Sequence, residues 1–249
     1  MKYTVLACLV VLSFGLSPVA QALCDQPPGP RVMWMGCDKA GIDLSGANLS
    51  NAVMTRANLS GANFQEARLD RADFGNADLT GADFSGAQLI GTRLVSAVLS
   101  DARFVGAYMP GVRLNRAQLA QVDFSGADMS GAQLRGANLA GALLIGTDLR
   151  DADLDNADLT GADLSGSQFN RASLRGAILE NTLFIGADLS NARIDGGDLL
   201  NADFTDAQLS RANLHDTRMD GAVFEGARLD STIWADRRRC RPGSVGSCD

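Results

Sequence analysis

Starting at Leu44 and stepping by five, every position as far as Trp234 is large and apolar. The 39 consecutive centres comprise 24 Leu, 9 Phe, 4 Met, Ile194 and Trp234. Two residues before each centre the chain is small, Ala in 29 of the 39 repeats. The residue between the two is most often Asp, Asn, Arg or Gln, and Gly is the commonest residue two after the centre. A period of five fits neither regular element. On an α-helix it would rotate successive centres by about 140° and spread the leucines around the whole circumference. A continuous strand needs period two. Each unit instead holds one short strand-like alternation, small residue in, polar residue out, large residue in, followed by two residues free to turn. Gly at the second of these suits a corner with unusual dihedrals.

The phenylalanines set the number of repeats per turn. Phe64, Phe84, Phe104, Phe124, Phe184, Phe204 and Phe224 share one phase of 20 residues, seven of the nine Phe centres in a phase that holds ten of the 39. Rings stacking along one side of a core produce this bias when four units close a square coil. The repeats then form nearly ten coils, a rod roughly 45 Å long at the spacing of β-strands.

Stretches such as Ala77-Asp78-Leu79-Thr80-Gly81 and Ala82-Asp83-Phe84-Ser85-Gly86 resemble the motif of the pentapeptide-repeat family, Ala-(Asp/Asn)-Leu-x-x, and the resemblance spans about 195 of the 249 residues without a break. It implies an all-β fold, a right-handed quadrilateral β-helix whose central Leu or Phe and small residues point inward. Some members of that family mimic DNA with an acidic rod and protect gyrase.

The first 22 residues differ in kind. Lys2 is followed by an uncharged apolar run, Val5 to Leu16, and then by Ala20-Gln21-Ala22, which fits the small-x-small cleavage pattern of a secretory leader. The run is too short for a comfortable membrane span and no second one follows. Cys24 raises the alternative of a lipoprotein, but Leu23 before it is bulky for a lipidation box. The expected organisation is therefore a signal peptide at 1–22, an N-terminal cap at 23–41, a pentapeptide-repeat β-helix at 42–236 and a clamped tail at 237–249, in the periplasm or outside the cell. Four cysteines remain, Cys24 and Cys37 before the repeats, Cys240 and Cys248 after them. Of the three pairings, the local disulfides Cys24–Cys37 and Cys240–Cys248 are the natural reading in an oxidising compartment. Trp34 and Trp234 flank the repeats beside these pairs and read as end plugs, with a ligand-stacking role the weaker alternative.

Charge and chemistry narrow the function. Without Lys2 the chain has 21 basic and 29 acidic residues, a net charge of −8, and an acidic rod repels nucleic acid. The lone His215 follows a centre and points outward. No Ser or Cys has a plausible base, no phosphate loop or His/Cys metal spacing occurs, and no catalytic residue, cofactor or metal is expected. Asp148, Asp151, Asp153, Asp155, Asp158 and Asp163 crowd one coil, an arrangement that either offers oxygen ligands to a divalent cation or, the favoured reading, repeats the Ala-Asp-Leu consensus on different faces. On the Phe-rich face, Leu143 and Leu183 stand at outward positions, with Val105, Ile145 and Ile185 after the corresponding centres. Outward Leu and Ile on a polar solenoid point to a contact strip, with scatter from a 40-residue duplication as the competing explanation. The expected activity is that of a non-enzymatic exported scaffold binding a protein, another or its own copy as a weak homodimer. The acidic gyrase-protecting type is the alternative. Export and the absence of loop insertions weigh against it.

Overall fold

The computed structural model describes residues 23–249, so the leader read at 1–22 lies outside the described residues. From Met33 onward the outward residue of each repeat pairs in parallel with the residue 20 positions later: Met33 with Val53, Asp38 with Asn58, Asp43 with Asn63, Asn48 with Arg68. The same register continues to Asn213 and Ile233. Four repeats therefore make one turn, and four rows of bridges form four sides. We number them in chain order: the first side runs from Met33 to Ile233, the second from Asp38 to Arg218, the third from Asp43 to Val223, the fourth from Asn48 to Arg228.

The hydrogen bonds explain why five residues suffice. Leu44 N–H donates to Asn63 O at 2.7 Å and Asn63 N–H donates back to Ile42 O at 2.9 Å, one rung between coils. Ala47 N–H then closes a four-residue turn onto Leu44 O at 3.0 Å, while Gly46 N–H reaches Gln65 O at 2.8 Å on the next coil. The third residue of each turn has φ near +60°, as in Gly46 (63°) and Asn51 (60°), the geometry of a type II turn. Glycine adopts it without steric cost, and Asn and Asp tolerate it. Backbone polar groups are thus satisfied between coils, leaving the inward positions free to be wholly apolar.

That interior is one continuous core. Every repeat centre from Leu44 to Leu214 is buried, with the alanines packed beside them. On the third side the rings stack at the rung spacing: Phe64 on Phe84 at 4.6 Å, Phe84 on Phe104 at 4.6 Å, Phe184 on Phe204 at 4.9 Å. Where Thr replaces Ala its hydroxyl donates to a core-facing carbonyl, as Thr147 Oγ1 does to Phe124 O at 2.9 Å.

Both ends are closed, differently from the repeats. The ladder starts at Met33, within the segment read from sequence as cap, and Trp34, Val32 and Cys37 already occupy core positions. Trp34 is fully buried, its Nε1 donating to Gln26 O at 3.2 Å, with Lys39 Nζ 4.9 Å above its ring. Cys24 and Cys37 are bonded, with Cα atoms 5.5 Å apart. At the other end the tail reverses and pairs antiparallel with the last coil, Ile233 with Arg239 on the first side and Arg228 with Val245 on the fourth. Cys240–Cys248 ties this return, Cα atoms 4.7 Å apart, and Trp234 sits half-buried 5.0 Å from Phe224. Among the described residues no helix is long and apolar enough to cross a membrane.

Candidate partner-binding side

The third side carries an alternation with a period of two coils. On one set of rungs an aspartate is followed two residues later by a hydroxyl residue, and the carboxylate turns along its own strand to meet it. Asp83 Oδ1 accepts from Ser85 N at 2.9 Å, Asp123 Oδ1 from Ser125 N at 3.0 Å, and Asp163 Oδ1 from both Ser165 N at 3.0 Å and Ser165 Oγ at 2.6 Å. Asp203 does the same with Thr205. Partial burial pushes the Asp83 carboxyl up, but hydrogen bonds from Ser85 and Gln65 and the charge of Arg103 more than offset it, so it stays below the ordinary carboxylate value. On the intervening rungs stand Leu143 with Ile145, then Leu183 with Ile185. These four side chains are 42%, 44%, 37% and 40% exposed, although leucine and isoleucine are buried at every centre they occupy. Leu143, Asp163 and Leu183 are consecutive rungs, so the apolar pairs lie about 10 Å apart with a tied-in carboxylate between them.

Val105 is half-buried, so it contributes less of the strip than the other four. The exposed apolar surface also extends beyond what was picked from the Phe face. Val223 (43%) continues the third side, and Ile178 (44%) stands on the second side one repeat before Leu183, across the shared corner. Ile178 occupies the same outward slot in its repeat as Leu183, a signal visible only when that slot is read on all four sides.

Charge is segregated around the rod. Repeats 42–46 to 222–226 of the third side hold eight carboxylates against Arg103, and repeats 57–61 to 217–221 of the second hold six against Arg218. The two adjacent acidic sides carry more negative charge than the chain's net, the excess being offset by arginines on the first side and in the tail.

The crowded aspartates near Asp153 are each engaged within the rod. Asp148 is paired with Arg150, Asp151 with Arg171 at 2.6 Å, and Asp158 accepts from Thr160 Oγ1 at 2.6 Å. Asp155 is buried between Arg135 at 3.4 Å and Arg175. Burial raises its pKa, but the hydrogen bonds from Arg175 and Ser173 and the Arg175 charge outweigh it and hold the carboxyl below its ordinary value. Among the described residues no group of three or more His, Cys, Asp or Glu is placed to hold a metal ion. His215 is partly exposed and its Nε2 lies 2.9 Å from Asp216 Oδ2, which also meets Arg237 at 3.0 Å.

A square solenoid with a repeated five-residue rung defines a class of repeat scaffold. The pentapeptide repeats family matches in 8 copies across residues 40–76, 57–95, 97–136, 132–170, 167–206 and 207–233. The chain belongs to the pentapeptide-repeat family, whose members fold as right-handed quadrilateral β-helices and are generally non-enzymatic. Among solved structures it is similar to HetL, a pentapeptide repeat protein involved in heterocyst differentiation regulation from the cyanobacterium Nostoc sp. strain PCC 7120, at 29% identity, 89% of this chain, 97% of that one and a TM-score of 0.36. A thylakoid-lumen pentapeptide repeat protein of Arabidopsis thaliana is 28% identical over 47% of this chain and 84% of its own, TM-score 0.31. QnrB1, a plasmid-mediated fluoroquinolone resistance protein, is 21% identical over 76% and 90%, TM-score 0.38. No curated protein matches the chain.

Proposed function

We propose that the mature chain is an exported, non-enzymatic scaffold that engages a protein, another or a second copy of itself, through its third side. The observation that carries this reading is the pair of exposed apolar rungs, Leu143 with Ile145 and Leu183 with Ile185. Solvent-facing solenoid sides are ordinarily polar, and leucine and isoleucine repeated at the same two outward slots gain stability only when covered. A flat side can meet its own equivalent about a two-fold axis, with an offset that keeps Asp163 from facing its copy. Export is supported by the leader pattern and by the two cysteine pairs at bonding distance, which suit an oxidising compartment.

The second reading, an acidic mimic of DNA, draws on the carboxylates gathered on the second and third sides. Such a rod would have to remain in the cytoplasm to meet gyrase, so cell fractionation separates the two. Recovery of the native protein outside the cytoplasm with Leu23 at its N-terminus supports the scaffold reading; recovery in the cytoplasm with Met1 retained refutes it. Sedimentation equilibrium tests the side itself. Wild type is expected to self-associate weakly and L143K/L183K to remain monomeric. Association unchanged by the double substitution would remove the third side from the interface.

A further inference from the structure

The first side departs from the acidic character of the second and third. Its repeats from 52–56 to 212–216 hold seven arginines against five aspartates. The excess gathers on three consecutive coils, 92–96, 112–116 and 132–136, which contain Arg93, Arg113, Arg116 and Arg135 and no carboxylate. Arg93 and Arg113 are directly opposed on adjacent rungs, and like charges so placed repel. Elsewhere on this side an arginine rung faces Asp, Gln, Ser or Asn: Asp73 opposes Arg93 from the other side, Gln133 opposes Arg113, and Ser173 and Asn213 flank Arg193.

The outer arginines are held by carboxylates and the inner ones are not. Arg93 Nη1 donates to Asp73 Oδ2 at 3.0 Å, and Arg135 Nη2 to Asp153 Oδ2 at 2.8 Å. Among the described residues no carboxylate comes within 4.0 Å of Arg113 or Arg116, whereas both of their guanidinium neighbours along the rod are so paired. Between Arg116 and Arg135 lies an open hollow of about 570 Å3, with Val95, Asn115, Gln133 and Asp153 also in its wall. Asn115 is fixed in it. Its Oδ1 accepts from Arg135 N at 3.1 Å and its Nδ2 donates to Gln133 Oε1 at 3.4 Å, which leaves the Gln133 amide nitrogen as a further donor.

We propose that this hollow binds a small soluble oxyanion of the phosphate or sulfate class, with Arg116 as its principal ligand, Arg135 and Gln133 beside it in the wall, and Arg113 reaching in from the rung next to Gln133. Guanidinium forks match the oxygens of such groups and form charge-assisted hydrogen bonds. An anion held near Arg113 also lessens the repulsion along the Arg93–Arg113 rung. The ligand is small because the acidic second side begins at the next corner and would repel a long polyanion. The site lies across the rod from the apolar strip, so both can be occupied together.

The test is titration of the intact mature protein with inorganic pyrophosphate, against sodium chloride at matched ionic strength, followed by calorimetry and thermal melting. Saturable binding near one per chain is expected, with a raised melting temperature. Affinity should fall at least tenfold in R113Q/R116Q and be unchanged in R211Q/R228Q, which alters arginines elsewhere on the rod. Without anion, R113Q should melt at the same or a higher temperature than wild type, because it removes one of two repelling charges. No saturable pyrophosphate binding, equal loss in both double variants, or a lower melting temperature for anion-free R113Q would overturn the proposal. Binding to phosphatidic-acid vesicles without any response to free pyrophosphate would overturn it as well, by assigning the arginines to a lipid surface.

Discussion

Replacing Phe124 with Ala tests the inward and outward assignment at its most demanding point. Phe124 is fully buried, its ring stacked on Phe104 with centroids 5.0 Å apart, and its neighbour on the other side is the aliphatic Leu144. Truncating a buried Phe costs about 3–5 kcal/mol through lost transfer energy and the cavity left behind. The range includes the one ring contact that is lost, an interaction of order 1 kcal/mol. The neighbouring substitution Asp123→Ser is the control. Asp123 is partly exposed, accepts from Ser125 N at 3.0 Å and lies 4.0 Å from Arg103, so its loss costs under about 1 kcal/mol. Because each coil contacts only its neighbours, the Phe124 cavity should loosen coils locally before the rod melts as a whole. Thermal and denaturant melts give the magnitudes, and hydrogen exchange should show faster opening in 102–126 and 122–146. Equal destabilisation by the two substitutions, or a loss below about 1 kcal/mol for Phe124→Ala, would refute the assignment.

Acid should weaken the rod. The folded carboxyls of Asp83, Asp148, Asp155 and Asp188 lie below their ordinary value of 3.8, so their contribution is complete above about pH 5 and is lost as pH falls below 4; melting at pH 3 and pH 7 checks this sign. Removing the Cys240–Cys248 link with serines should cost about 2–3 kcal/mol for so short a loop, and should raise exchange at Cys240 N–H and Leu229 N–H, which bond across the tail and last coil. Gly126, at φ +66° with open space around its Cα, should accept Asn with little loss but lose about 1–2 kcal/mol as Val, measured by thermal melting.

The repeat rule was legible because a period of five carries its own geometry. The shared phase of Phe64, Phe84, Phe104 and Phe124 pointed to four repeats per turn, and the bridges at 20-residue intervals follow that register. The start of the ladder was harder to read. Lys39 stands where a leucine belongs and breaks the side-chain pattern before Ile42, yet the backbone bonds that build a rung do not depend on that side chain and already pair Met33 and Asp38. The antiparallel return of Arg239 and Val245 has no periodic trace at all, since it depends on where a short tail can fold back. On the third side the outward leucines and the Asp163 and Ser165 between them could be located from sequence, but not the hydrogen bonds from Ser165 that turn the Asp163 carboxylate along its own strand.

The 20-residue register has a consequence for how such a rod tolerates changes in length. Gain or loss of one five-residue unit leaves every local bond type intact but turns everything downstream by a quarter of a revolution. Deleting one unit from the coil that carries Asp163 would carry Leu183 and Ile185 round a corner, away from Leu143 and Ile145, with little change in the core. Deleting four consecutive units would shorten the rod by one rung and keep every downstream side chain facing as before. Stability is thus indifferent to single-unit slips that binding would notice, and a length variant that melts normally yet no longer recognises its partner is the expected signature.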